Sequence, residues 1–249
     1  MIEVHAPHES VHTWRDFFIH IATICVGLLI AIGLEQAVEA IHRSHERAEL
    51  RESLQRESEQ VVRDAVRLEE IMTADVKWQL QVGELLAASG RTHQPLGVIP
   101  PFPSLNFDVP SNPIYAAAKA SNKLQLLTQQ EVQAYGELDN VLVTLKAADD
   151  RRLVAFTAVL EAQLRLYFSE PALSGTPLRA QSPLTPLSGL TLSIDDLREI
   201  NKVNVQLGIA SGSFRFWSRQ AHGATLALSQ GERDLRKIQA AERQFDNLP

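Results

Sequence analysis

Sulfur chemistry is nearly absent from this sequence. One cysteine, Cys25, occurs in 249 residues, so neither an intramolecular disulfide nor a cysteine-based metal site can form. Basic clusters are also missing. The formal net charge is −6 and the Lys and Arg residues are scattered, which excludes the basic stripe that nucleic acids require. No G-x-S-x-G, no Gly-rich phosphate loop, no H-E-x-x-H and no haem-attachment motif occurs. With no nucleophile–base spacing and no metal-ligand spacing, the chain reads as a non-enzyme that uses no cofactor. Alternating apolar and polar residues are lacking too, which argues against strands. From Glu35 to Ala88 there is no proline, and Gly83 is the one glycine, so nothing there interrupts a helix.

One long uncharged run stands against these absences. Phe17 to Leu34 carries no formal charge over 18 residues, with His20 the one titratable group. As a helix it covers about 27 Å, close to a bilayer core of about 30 Å. Trp14 precedes it at the depth where amphipathic rings collect. The residues before it are acidic (Glu3, Glu9, Asp16 against Arg15), and Glu35 spoils the nearest small-residue cleavage site, "AIGLEQA". The run therefore reads as an uncleaved signal anchor. No second span follows, because Lys146, Asp149, Asp150, Arg151 and Arg152 break the next apolar stretch. Within the span, Thr23, Gly27 and Ala31 put small residues on one face, the arrangement that lets two helices approach closely in lipid.

Helical periodicity continues past the span. Leu50, Leu54, Val61, Ala65, Leu68, Met72, Val82 and Leu86 form a stripe, widened by Ile71, Trp78 and Leu85. Leu54, Val61, Leu68 and Val82 are seven or fourteen apart, and Asp75 breaks the series, which points to a bundle helix rather than an extended coiled coil. Five prolines and two glycines then make a connection over 90–112. Pro113 starts a short helix. Thr128 and Glu131 form a capping box with Leu127 and Val132 as its staple, opening a helix to about Phe168. Its expected buried face holds Val132, Tyr135, Leu138, Leu142, Leu145, Phe156, Leu160, Leu164 and Tyr167. A second Pro/Ser/Gly connection, 169–192, carries Leu173, Leu178, Leu184, Leu187 and Leu190. Ser193 caps the last helix, to about Phe245, with Leu192 and Leu197 as staple. Leu197, Ile200, Val203, Leu207, Phe214, Trp217, Ala221, Leu228, Leu235 and Ile238 form its buried face.

Few side chains suggest a site. His5, His8 and His12 sit in a terminal tail, and His42 and His45 on a solvated helical face. "SGSFRFWSR" gathers Phe214, Arg215, Phe216, Trp217 and Arg219; aromatics at this spacing are core residues, and Phe214, Arg215 and Trp217 are the candidate partner or ligand surface.

Two stretches carry a resemblance. "RDFFIHIATICVGLLIAIGLEQAVEAIHRSHE" resembles the N-terminus of a large family of bacterial single-span membrane proteins whose function is unassigned. "SNPIYAAAKASNKLQLLTQQEVQAYGELDNVL" is similar to that family's second segment, through Tyr115, Ala118, Ser121, Leu126, Glu131 and Tyr135. The resemblance covers Trp14 to Leu145 and implies a helical domain on a single inner-membrane anchor, exported to the periplasm. The charge count, Arg15 before the span against Arg43, Arg47 and Arg51 after it, points to the cytoplasm instead.

The expected architecture is all-α: a tail (1–16), a transmembrane helix (17–34) and an elongated helical bundle (35–249). In it the transmembrane helix continues into a long helix, packed with two further long helices and one short one. Antiparallel packing would return the 169–192 connection and its leucines toward the bilayer. The expected role is a scaffold or accessory subunit that contacts lipid and other integral membrane subunits or its own copies. The alternative is a ligand-binding sensor bundle that signals through a partner membrane protein.

Overall fold

The computed structural model describes residues 14–103, 107–169 and 184–246. Its regular elements are all helices, with no strand among the described residues. Five α-helices are formed: α1 (Trp14–Thr92), α2 (Pro113–Ala120), α3 (Gln129–Ser169), α4 (Ile194–Ser229) and α5 (Leu235–Asp246). The chain divides into two units, Met1–Leu50 and Arg51–Pro249. His5, His8, His12, Leu173 and Leu178 lie outside the described residues.

In the first unit, α1 is long and apolar enough to cross a membrane. An 18-residue window of mean hydropathy 2.5 has none of its residues buried. Ile24, Leu28, Leu29 and Leu34 each expose more than 60 % of their surface. Trp14, Phe17 and Phe18 pack on one another at its start, with ring centroids 5.1–5.9 Å apart.

The second unit is a packed bundle. The α1 stripe behaves as its spacing predicts: Leu54, Val61, Ala65, Leu68, Met72, Trp78, Val82 and Leu86 are all buried. On α3, Tyr135, Leu138, Leu142, Leu145 and Phe156 are buried. Leu164 differs from expectation: it is exposed, while Ala162 and Leu166 turn inward. Tyr167 belongs to the part of α3 whose side chains are not described.

Helix direction departs from the antiparallel expectation. Arg51 on α1 pairs with Glu131 at the start of α3, at 2.7 Å. Further along both helices, Asp75 lies 3.8 Å from Arg152. The two helices therefore run parallel. On α4 the order reverses: Asn204 bonds to Gln79, Ser211 to Asp75, Arg219 to Glu69, and Gln55 to the Ser229 carbonyl. That helix is antiparallel to α1.

A parallel pair needs a crossover, and the proline-rich connection supplies it. The backbone amides of Ile114 and Tyr115 donate to the Glu57 carboxylate at 2.5 and 3.2 Å, so α2 begins beside the Glu57 level of α1. Between Glu57 and Thr92 the helix is about 52 Å long at 1.5 Å per residue. Roughly 20 extended residues reach about 66 Å, enough to travel back. On the way the Trp78 indole N–H donates to the Pro100 carbonyl at 2.7 Å, and Phe102 packs between Trp78 and Phe156.

The second connection is corrected accordingly. Leu184 and Leu187 are fully buried and Leu190 is partly buried, all in one cluster with Leu96, Ile99 and Phe102. The Leu96 amide donates to the Leu190 carbonyl at 2.8 Å, the Gly189 amide to the Leu96 carbonyl at 2.7 Å, and the Ile99 amide to the Ser188 hydroxyl at 2.9 Å. These leucines pack into the core beside the first connection, and burial leaves Leu184 and Leu187 no free surface for headgroups.

Local start signals are realised. The Glu131 amide donates to the Thr128 hydroxyl at 3.3 Å and the Thr128 amide to the Glu131 carboxylate at 2.8 Å. Ser193 accepts from the Asp196 amide, and Leu192 and Leu197 share the core cluster. The last expected helix is instead two. Gly231, at φ +85°, stops α4: its amide bonds back to Leu228 and that of Glu232 to Ala227, a Schellman closure. Asp234 then opens α5 by accepting from the Arg236 amide at 2.9 Å. Helix α5 folds onto α4 so closely that a β-carbon on Gly223 would stand 2.8 Å from the Glu242 backbone.

Candidate functional site

The position that breaks the heptad series organises the interior. Asp75 follows Leu68 by seven residues and so falls on the core face of α1. Burying a carboxylate there is costly without partners. The partners come from all three long helices. Ser211 of α4 donates to one Asp75 oxygen at 2.9 Å, and the Gln79 amide nitrogen, one turn along α1, donates to the other at 3.0 Å. The same nitrogen also donates to the Ser211 hydroxyl at 2.9 Å.

Arg152 of α3 supplies the positive charge. Its side chain is 1 % exposed and lies 3.8 Å from Asp75 and 3.3 Å from Asp149, one helical turn earlier. Lys146, itself exposed, flanks Asp149 at 3.3 Å. The guanidinium sits 4.7 Å from the Phe107 ring centroid and 5.6 Å from that of Phe214, so two aromatic faces receive what the carboxylates do not. Burial raises the Asp75 pKa above the ordinary carboxylate value, against the opposing pull of Ser211, Arg152 and Gln79. Periodicity alone does not reveal this layer: Asp75 reads as a break, and Asp149 and Arg152 read as interruptions of an apolar run.

A charged layer enclosed this way holds helices in register. Among the described residues there is no cluster of three or more His, Cys, Asp or Glu able to hold a metal.

The residues singled out by sequence are separated. Phe214 is 0 % exposed and packs on Arg152 and Phe107, so it belongs to the core and to no partner or ligand surface. Trp217 is half-buried and meets the exposed Phe216 edge-on at 5.2 Å. Arg215 is half-buried; burial, then the neighbouring charge of Arg219, lowers its pKa. In the first unit, Thr23, Gly27 and Ala31 are exposed. Thr23 turns its hydroxyl back to the Ile19 carbonyl at 2.8 Å, and a β-carbon on Gly27 would meet nothing within 4 Å.

The chain matches no protein-family model, no curated protein and no solved structure.

Proposed function

We propose that this protein is a non-enzymatic, membrane-anchored scaffold or accessory subunit of a larger membrane complex, acting through protein–protein contacts. One observation carries the reading. An 18-residue window near the start of α1, of mean hydropathy 2.5, has none of its residues buried. A soluble core helix would hide such a surface; here lipid and neighbouring helices would cover it. Anchor and bundle share the helix α1, which suits a part whose attachment to a complex matters more than its reach. The face of Thr23, Gly27 and Ala31 is where another membrane helix would approach, a copy of this chain or another subunit. The inner membrane of a bacterium, with the bundle in the periplasm, is the setting the resemblance implies.

Carbonate extraction and mild-detergent sizing test the proposal. The intact 27.7 kDa chain should stay with the membrane pellet and elute in an assembly well above its own mass. Gly27→Leu should shrink that assembly. Release by carbonate, loss of the first segment by cleavage, or an unaltered monomer in both variants would sink it.

A further inference from the structure

The outer side of the polar layer opens on a groove between α1 and α4, of about 520 Å³, lined by residues 76–87 and 201–209. Its walls are apolar and unusually bare: Leu80 is 65 %, Val205 50 % and Ile209 70 % exposed. Its floor is polar. Gln79 and Asn204 both line it, and both are more than nine-tenths buried, at 5 % and 3 % exposed.

Both amides are held in one orientation. The Gln79 nitrogen is committed to Asp75 and Ser211, and the Asn204 nitrogen donates to the Gln79 backbone carbonyl at 3.1 Å. Each amide oxygen is therefore turned away from these bonds, and neither Gln79 Oε1 nor Asn204 Oδ1 has a hydrogen-bond partner. Gly208 approaches the first without a side chain: a β-carbon there would stand 3.1 Å from Gln79 Oε1. Buried acceptors left without donors are costly and rare in native structures.

We infer that this groove binds a small amphipathic molecule with an N–H-bearing head, an amine or a primary amide, on an apolar body. The head donates to Gln79 Oε1 and Asn204 Oδ1, and the body lies along Leu80, Val205 and Ile209. Two acceptors on the floor, with Glu84 the one charged residue of the lining, repel carboxylate and phosphate heads. A helix from a second copy fits less well, since its backbone N–H groups are already used internally. A volume of this size lies within the range of small-ligand sites. The inference does not depend on membrane attachment and stands apart from the scaffold reading.

The test uses the full chain in lipid nanodiscs and three probes of matched length: hexylamine, hexanamide and hexanoate. Thermal unfolding is followed by tryptophan fluorescence. Hexylamine and hexanamide should raise Tm in a saturable manner, and hexanoate should not. Asn204→Leu removes one acceptor and should weaken apparent binding roughly tenfold. Ile209→Glu, at a site exposed enough to leave folding intact, should weaken hexanamide binding as well and serves if Asn204→Leu fails to fold. Equal response to all three probes, no response to any, or shifts unchanged in both variants would overturn the inference. So would self-association that Ile209→Glu abolishes while the probes have no effect, which would assign the groove to a second copy.

Discussion

Removing the buried guanidinium is the sharpest probe of the polar layer. Arg152→Met keeps length and apolar volume but deletes the charge. Two carboxylates face it. Asp149 keeps Lys146 at 3.3 Å, whereas Asp75, 1 % exposed, keeps two neutral donors and no cation. The penalty therefore falls on Asp75. Breaking a buried pair by removing one partner costs about 3–5 kcal/mol, the uncompensated charge supplying most of it. Adding Asp75→Leu should recover most of that loss, because Gln79 and Ser211 still bond to each other. The sign with pH follows from the raised Asp75 pKa. Its folded form holds a proton more tightly than the unfolded chain, so stability falls as pH rises from the unfolded value of 3.8 through the folded pKa. Loss of Arg152 should push that pKa further up and make the variant's deficit grow as pH rises. Urea unfolding of the full chain in detergent, read through tryptophan fluorescence, measures all of this. A single-variant loss under about 1 kcal/mol, or a double variant no better than the single, would refute a closed ionic layer.

Glu131→Gln should show the opposite pH trend. Burial pushes the Glu131 pKa up, but Arg51 and the Thr128 amide and hydroxyl outweigh it and hold it below 4.5. Its stabilisation is complete above the unfolded value and lost as pH falls through the folded one, so wild type and variant should converge in acid unfolding curves. Gly223→Ala should push α5 off α4, since the new methyl meets Glu242 backbone at 2.8 Å; a loss of about 1–3 kcal/mol and faster hydrogen exchange over residues 235–246 are expected. Glu57→Ala should uncap α2 at a cost of about 0.5–2 kcal/mol, visible as faster amide exchange at Ile114 and Tyr115.

Local chemistry made much of the fold readable. Helix starts at Thr128 and Ser193 and the buried stripe of α1 depend on neighbours within a few residues, which periodicity and capping rules capture. The bundle's direction was hidden because it depends on where a connection ends, and a proline-rich stretch can as easily turn a corner as run back along a helix. The Arg51–Glu131 and Asp75–Arg152 pairs and the capture of the α2 amides by Glu57 show which. The break at Gly231 was signalled, since Gly231 and Asp234 are stop and start residues three apart, but the apolar period resumes in phase at Leu235 and Ile238 and masks it. Most of the candidate sites were not legible. Asp75, Arg152 and Ser211 come from three helices, and the unpaired oxygens of Gln79 and Asn204 exist only because tertiary partners take their nitrogens.

The Asp75–Ser211 bond spans 136 residues of chain. At about 5–20 residues per second of synthesis, Asp75 and the apolar face around it wait on the order of ten seconds for α4 to emerge. Through that interval α1 and α3 can pair in parallel, but their shared groove stays open and charged at its centre. The bundle is thus a fold completed by its last third. A chain stopped before α4 would expose a half-built ionic core, which makes it a ready target for quality control rather than a tolerated truncation.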